Sequence, residues 1–368
     1  MSSAPEQLAL KQDILAIIEH ADFQLDDTSF NDLAARVFRF QFEFNAPYRR
    51  YCERRAVDPG TVRDWRQIPA VPTAAFKAAA LVAGDSQNAQ ALFRTSGTTQ
   101  GREKRGQHYL LDLELYERSL LRTFAEFVLA DGQRPPMVSL VPQWQPGGES
   151  SLAYMIATVM RELGTADSWY AVDADGISFE KLYHWLQFSI TTNRPVCMVG
   201  TSLAFVHWFD QMRARKLSLQ LPAGSRIMDT GGFKGAQRAI SSAELRAQYA
   251  ELLAVPPEFV INEYGMTEML SQYYDAHLRH PELHLIKQGP PWVRWDVVDA
   301  NTLEPLTEGE TGLLRHFDLA NLFSVSAIQT EDLGRATRDG FELLGRAAGA
   351  SPRGCSIAMD IFLSAARA

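Results

Sequence analysis

Four short apolar runs, each followed by a turn, constrain this chain more than any other feature. They are MVSLV (137–141), VCMVG (196–200), RIMDTGG (226–232) and FVINEYG (259–265). Runs of this length without polar alternation suit strands buried on both faces of a parallel sheet. Stretches with helical spacing lie between them, at 151–163, 179–191 and 202–215. Strands alternating with helices predict an α/β fold with a largely parallel sheet.

The flanks read differently. Residues 6–57 are predicted to be helical, with Ile14, Ile17 and Ile18 at helical spacing and an aromatic-rich stretch, FRFQFEFNAPYRRY (38–51), suited to packing against the core. A short strand begins at Ala91, and an amphipathic helix is predicted over 110–130. From 292 to 346 the pattern changes to strands with tight turns, with Asn301 and Gly309 in turn positions. The expected division is therefore an N-terminal helical segment (1–90) packed on an α/β core (91–290), then a β-rich subdomain with a C-terminal tail (291–368).

Composition removes several alternatives. The 368 residues are 46% hydrophobic and 22% charged, as in ordinary globular chains. The net charge of −8 argues against a nucleic-acid partner. Three widely spaced cysteines, Cys52, Cys197 and Cys355, give neither a disulfide framework nor a CxxC metal knuckle. No apolar run reaches the roughly 18 residues of a membrane span, and no secretory signal is legible. The expectation is a soluble, cytoplasmic protein. HLRHPELH (277–284) brings three histidines together, but its proline breaks the helical face that a zinc site would use.

The strongest chemical feature is RTSGTTQGREKRG (94–106). Six consecutive residues, Thr95 to Gln100, carry a hydroxyl, an amide or no side chain. Gly97 and Gly101 let the backbone approach a ligand. Backbone amides with the hydroxyls of Thr95, Ser96, Thr98 and Thr99 can cradle phosphate oxygens, and Lys104 and Arg105 add positive charge. It is not a Walker A loop. A plain polar surface loop fits the same composition.

Three later stretches bear on the choice. In NEYGMTE (262–268), Tyr264 can stack on a base, Asn262 can read a base edge, and Thr267 with Glu268 can hold Mg²⁺ through oxygen. The alternative is a helix N-cap at Thr267 or Glu268. DTGGFKG (229–235) offers Gly231 and Gly232 at a strand end, or a simple turn. In TEDLGR (330–335), Asp332 can accept both hydroxyls of a ribose, and Gly345-Arg346 follows.

In this order and spacing, TSGTT, YGMTE, TEDLGR and the later Gly-Arg resemble the acyl-adenylate-forming superfamily. PTAAFK before the loop, KRGQHY after it, DTGGFKG, INEYGMTE and RGCS resemble its short acyl-protein synthetase branch, the LuxE-type fatty-acid ligases. The resemblance implies an acid–thiol ligase. A carboxylic acid, here a fatty acid, would attack the α-phosphate of ATP to give acyl-AMP. A thiol would then take the acyl group. ATP and Mg²⁺ are the implied cofactors. The implied roles are phosphate binding for Thr95 to Thr99 with Lys104, and adenine contact for Gly231, Gly232, Asn262, Tyr264 and Gly265. Thr267 and Glu268 would hold Mg²⁺, Asp332 the ribose, and Arg346 ribose or phosphate. Cys355, near the C-terminus, would carry the acyl group, with an acyl-accepting protein as partner, either a reductase component or a carrier protein. Transfer to coenzyme A or a phosphopantetheine, and a degenerate nucleotide-binding scaffold, are the competing expectations.

Two departures stand out. Thr330-Glu331-Asp332 replaces the more usual Thr-Gly-Asp. Only 22 residues follow Arg346 and no lysine follows Lys287, whereas larger members carry a mobile lysine-bearing domain there, so that domain is expected to be absent or vestigial. The environment of Cys355, with Arg353 two positions before it, favours a thiolate. Cys197 is expected in the core. Cys52, among four arginines, is a second acceptor candidate with a lowered pKa.

Overall fold

The computed structural model describes residues 4–20, 22–96, 105–231, 240–347 and 351–366. The chain opens with α1 (Ala4–Glu19), α2 (Asp27–Phe44) and α3 (Ala46–Arg54), followed by the two-residue strand β1 (Val71–Pro72). In α2 the Asp26 side chain accepts from the Ser29 N–H, and Phe30, Leu33, Ala34, Val37, Phe38 and Gln41 form the buried stripe expected of a helix with one face on a core. The hairpin β2 (Ala91–Arg94) and β3 (Gln107–Leu110) follows, then α4 (Glu114–Val128).

The predicted alternation comes next. It comprises β4 (Met137–Ser139), α5 (Ser151–Glu162), β5 (Trp169–Tyr170), the small hairpin β6 (Val172–Asp173) and β7 (Gly176–Ile177), and α6 (Phe179–Thr191). It continues with β8 (Cys197–Thr201), α7 (Ser202–Ala214), β9 (Arg226–Thr230), α8 (Ser242–Leu253) and β10 (Val260–Tyr264). The remainder is β11 (Tyr273–Asp275), β12 (Ile286–Gln288), β13 (Val293–Val298), β14 (Thr311–Asp318), β15 (Ala327–Thr337), β16 (Gly340–Arg346) and α9 (Arg353–Ala366).

Among the described residues one twelve-stranded sheet runs through the molecule in the order β13-β14-β15-β16-β12-β11-β10-β9-β8-β4-β5, with β1 beside β15. Its two halves differ in kind. From β5 to β10 every pairing is parallel. From β10 to β13 the successive pairings along this path are antiparallel, and β1 lies parallel to β15 at the side. The fold is thus α/β with a mixed sheet and a parallel core. The expected β-rich segment continues that sheet, because β12 pairs with β11 on one side and β16 on the other.

Side-chain alternation explains the helical layers. Cys197, Val199, Met228 and Ile261 join a core with α4 and α5, whereas Met198, Ile227 and Val260 join one with α6, α7 and α8. Both faces of the parallel half are covered, so its strands carry uninterrupted apolar sequence. The N-terminal helices pack against the last third of the chain. Gln41 of α2 donates to the carbonyls of Asn321 and Leu322 at 3.0 Å each, and Arg50 of α3 donates to the Ala365 carbonyl at 3.0 Å.

Candidate nucleotide site

Parallel strands end together, and their carboxyl ends are where open α/β sheets bind ligands. Register sets Thr201 beside Thr230 and Thr230 beside Glu263. Past these tips the backbone turns at Gly231, whose φ of +76° favours glycine, and at Gly265, where a Cβ would collide with the Glu263 carboxylate. Thr230 donates a short hydrogen bond to that carboxylate. Burial, only partly offset by this bond and by Lys287, pushes the Glu263 carboxyl up to about 7.

No helix begins at Thr267 or Glu268. The segment is a turn, and the antiparallel half holds it. Asp318, at the end of β14, accepts the Leu270 and Ser271 N–H groups at 3.0 and 2.8 Å. Asn321 donates to the Glu268 carbonyl at 2.9 Å. From the other side, His108 Nδ1 lies 2.7 Å from the Thr267 carbonyl, and because a carbonyl only accepts, that nitrogen carries the proton. Burial holds the imidazole neutral, its pKa lowered to about 4. His108 stands on β3, so the base of the hydroxyl-rich loop and the Thr267–Glu268 turn meet on one side of the molecule. Ser151 Oγ at 3.4 Å from Thr267 Oγ1 brings the start of α5 to the same place.

The Asp332 carboxylate arrives across the seam. Tyr264 Oη donates to Asp332 at 2.9 Å, joining the end of β10 to the middle of β15. His316 Nε2 lies 3.4 Å from the same hydroxyl and its Nδ1 2.9 Å from Tyr273 Oη, which fixes the Tyr264 ring. Burial keeps His316 neutral, with its pKa near 3. Arg346 is the cross-strand partner of Asp332 and donates a short hydrogen bond to Glu331. Burial works against the guanidinium's charge, but Glu331, with the fields of Asp332 and Glu268, holds its pKa above the ordinary value. The structure therefore brings Tyr264, Glu268, Asp332 and Arg346 near one another, with Thr267 next to Glu268. Gly97, Thr98, Thr99, Lys104 and Gly232 lie outside the described residues. Of the loop's start, Thr95 Oγ1 accepts the Gly106 N–H at 2.9 Å within its own hairpin, and Ser96 is exposed.

The Asn262 amide donates to Asp229 at 2.8 Å, and Lys287 donates to its oxygen at 2.7 Å. Two expectations need correction. Cys52 is buried, and desolvation drives its thiol up to about 12 despite the neighbouring arginine; Cys197 shares that environment. Cys355 is 3% exposed on α9. Burial, followed by the Glu331 charge, pushes its thiol up to about 11, and Arg346 offsets this only in part. Its surroundings thus favour the thiol rather than the thiolate.

From sequence, His108 is equally open to a phosphate or substrate contact and to a surface role; the structure buries it against the Thr267 carbonyl. His316, Asp318 and Asn321 were missed and left no sequence signal, because their contacts join segments about 50 positions apart.

A mixed sheet of this layout, with a parallel core, is similar in fold to adenylate-forming ligases. Structures of 2-hydroxyisobutyryl-CoA ligase bear this out. In the postadenylation state with R3-HIB-AMP the TM-score is 0.64 at 16% identity, covering 89% of this chain and 66% of that one. The open conformation with 2-HIB-AMP and CoA gives 0.61, covering 87% and 69%. ATP-bound MatB from Rhodopseudomonas palustris gives 0.51 over 72% of this chain and 49% of that one. At such identities these likenesses show fold alone. The sequence narrows the class: a match to the family "Acyl-protein synthetase, LuxE" spans residues 2–363, and the chain belongs to that family. Its similar proteins include long-chain-fatty-acid–luciferin-component ligases. The one from Vibrio harveyi is 24% identical over 89% of this chain and 86% of that protein. The one from Aliivibrio fischeri is 24% identical over 82% and 78%. Among the described residues, no helix is long and apolar enough to cross a membrane.

Proposed function

We propose that this chain activates a fatty acid with ATP as an acyl-adenylate and passes the acyl group to a protein thiol, its own Cys355 or a partner's. The observation that carries this is the bond from Tyr264 to Asp332 beside Arg346 and Glu268. A base can lie against the Tyr264 ring while the Asp332 carboxylate accepts the two hydroxyls of the attached ribose. Arg346 then stands where phosphate charge would build up.

The acid's carboxylate attacks the α-phosphorus, and pyrophosphate leaves. Catalysis of such a step is mostly positioning and charge neutralisation. Thr267 and Glu268 offer a hydroxyl and a carboxylate, the oxygen donors that Mg²⁺ prefers, and Mg²⁺ bound there would offset phosphate charge. Neutral His108 fixes the carbonyl of that turn, and neutral His316 fixes Tyr264. Neither imidazole adds a charge that would compete for phosphate.

ATP–pyrophosphate exchange with a panel of acids tests the first step, with exchange expected for long-chain acids. Zero exchange with every acid overturns it and favours a scaffold. Intact-mass measurement and peptide mapping after incubation with ATP, Mg²⁺ and the active acid test the second. The burial of Cys355 favours one competing route, delivery to coenzyme A or a phosphopantetheine. Under that route Cys355→Ala leaves product formation intact, whereas the proposed route loses the covalent adduct.

A further inference from the structure

Acyl transfer to Cys355 poses a problem that the adenylation chemistry does not solve. The nucleophile is a thiolate, yet this thiol is held up at about 11. At pH 7 only on the order of one molecule in ten thousand would be ionised. A proton acceptor is needed.

A cavity of about 360 Å³ opens beside Cys355, lined among others by Thr73, Gln329, Glu331, Ser351 and Met359. Cys355 Sγ donates to the Thr330 carbonyl at 3.6 Å, which places the sulfur against the residue preceding Glu331. Glu331 stands where the resemblance leads one to expect glycine, so a side chain has been added at this position. Its carboxylate accepts short hydrogen bonds from Arg346 and from Ser351, two residues before α9. Burial disfavours its charge, but these two bonds hold its pKa below the usual value, which makes it a weak base. The Glu331–Arg346 pair therefore lies between the Cys355 cavity on one side and the Asp332–Glu268 cluster on the other.

We propose that Glu331 is the proton acceptor for the Cys355 thiol, and that Arg346 keeps it idle until an acyl-adenylate draws the guanidinium away. This rests on the function proposed above. The adenylate phosphate is an anion that competes for Arg346. Once released, the half-buried Glu331 carboxylate becomes a stronger base and takes the thiol proton. The sulfur attacks the acyl carbon, the S–C bond forms, and the acyl C–O bond to phosphate breaks. AMP leaves with that electron pair, and Glu331, now a carboxylic acid, returns its proton to solvent. Transfer thus follows adenylation and cannot precede it.

Among the described residues, the charged groups acting on this pair are few. Glu331 and Arg346 act on the thiol, Asp360 shares the cavity, and Arg353 begins the same helix. Lys77 acts on Glu331, and Asp332 and Glu268 act on Arg346.

The test loads the full chain with synthetic dodecanoyl-AMP, which bypasses adenylation, and follows acylation of the Cys355 peptide in a single turnover. Glu331→Gln is expected to slow transfer at saturating dodecanoyl-AMP by about 10²- to 10⁴-fold near neutral pH, with half-saturation little changed and part of the rate recovered in Glu331→Asp. Transfer in Glu331→Gln within about threefold of the unsubstituted chain overturns the proposal. Should the variant not fold, the pH profile of the unsubstituted chain decides. A rate that is level from about pH 6 to 9 supports an internal carboxylate base. A tenfold rise per pH unit toward the thiol's own pKa overturns it. An unsubstituted chain that takes no acyl group at Cys355 removes the acceptor assignment itself, and this base with it, a result distinct from either outcome above.

Discussion

The two halves of the sheet put polar groups at the site in opposite ways. At the edge of the parallel half, polar side chains satisfy one another. Asp229 accepts from Asn262 and Tyr249, Lys287 bonds Asn262 and Asp275, and Arg246 bonds Asp275. In the antiparallel half, among the described residues, the half-buried Asp332 carboxylate accepts from Tyr264 and the exposed Arg346 donates to Glu331. A buried polar group without a partner costs free energy, so the interior network is closed and fixes register. A binding group must keep capacity for its ligand, so the antiparallel tips are open. The same residue types therefore mean different things on either side of β10 and β11, and burial tells them apart.

The largest test falls on the open side. Two charge-assisted hydrogen bonds from ribose hydroxyls to Asp332 are worth about 1.5–3 kcal/mol each, or about 10²- to 10⁴-fold in kcat/KM together. Asp332→Ala is expected to lower kcat/KM for ATP in pyrophosphate exchange by that factor, and Asp332→Asn, which keeps one acceptor, by less. A loss under about threefold would move the ribose elsewhere and erase the contrast between the halves.

Much of this was legible before the coordinates. The four apolar runs became β4, β8, β9 and β10 because double burial demands continuous hydrophobicity. The helices at 151–163, 179–191 and 202–215 fell within a residue or two of α5, α6 and α7. The structure brings Tyr264, Glu268, Asp332 and Arg346, which the motifs had singled out, near one another. What failed was the environment of individual atoms. The sequence does not reveal that Lys287, 25 positions later, bonds the Asn262 oxygen. Cys355 looked activated because Arg353 is near in sequence, whereas Glu331 and burial act on the thiol in space. Cation counting along the chain cannot supply desolvation, which is the leading cause for all three cysteines.

A smaller effect probes the closed side through pH. The Glu263 carboxyl stands at about 7 in the folded chain against an ordinary 4.5. A raised carboxyl pKa means that the folded state holds a proton which the unfolded state has lost. Stability from this group is therefore full below about pH 4.5, declines as pH rises, and is gone above about pH 7, a change of up to about 3 kcal/mol. His108 and His316 act in the opposite sense below their ordinary 6.5, destabilising the fold as acid charges them in the unfolded state. Glu263→Gln removes only the carboxyl's contribution. Urea unfolding at about pH 5 and 8 is expected to show the variant gaining on the unsubstituted chain at the higher pH. An unchanged difference between the two pH values would mean that the carboxyl is not protonated in the fold, and that the parallel tips are as open as the antiparallel ones.

The smallest effect is the one that most sharpens the contrast. Asn262→Ala removes three side-chain hydrogen bonds from the interior network, but the partners keep others: Lys287 retains Asp275 at 2.9 Å and the Asn262 carbonyl at 2.6 Å, and Asp229 retains Tyr249 at 3.0 Å. The cost is expected at the lower end for buried polar groups, about 1–2 kcal/mol of unfolding free energy, read as a drop in urea midpoint with the slope unchanged. KM for ATP is expected to stay within about twofold, because the amide is already engaged by Asp229 and Lys287. A variant with full stability and a KM raised about tenfold would reverse both statements. Asn262 would then turn outward when nucleotide arrives, and the network around Lys287 would belong to the site rather than to the scaffold that carries it.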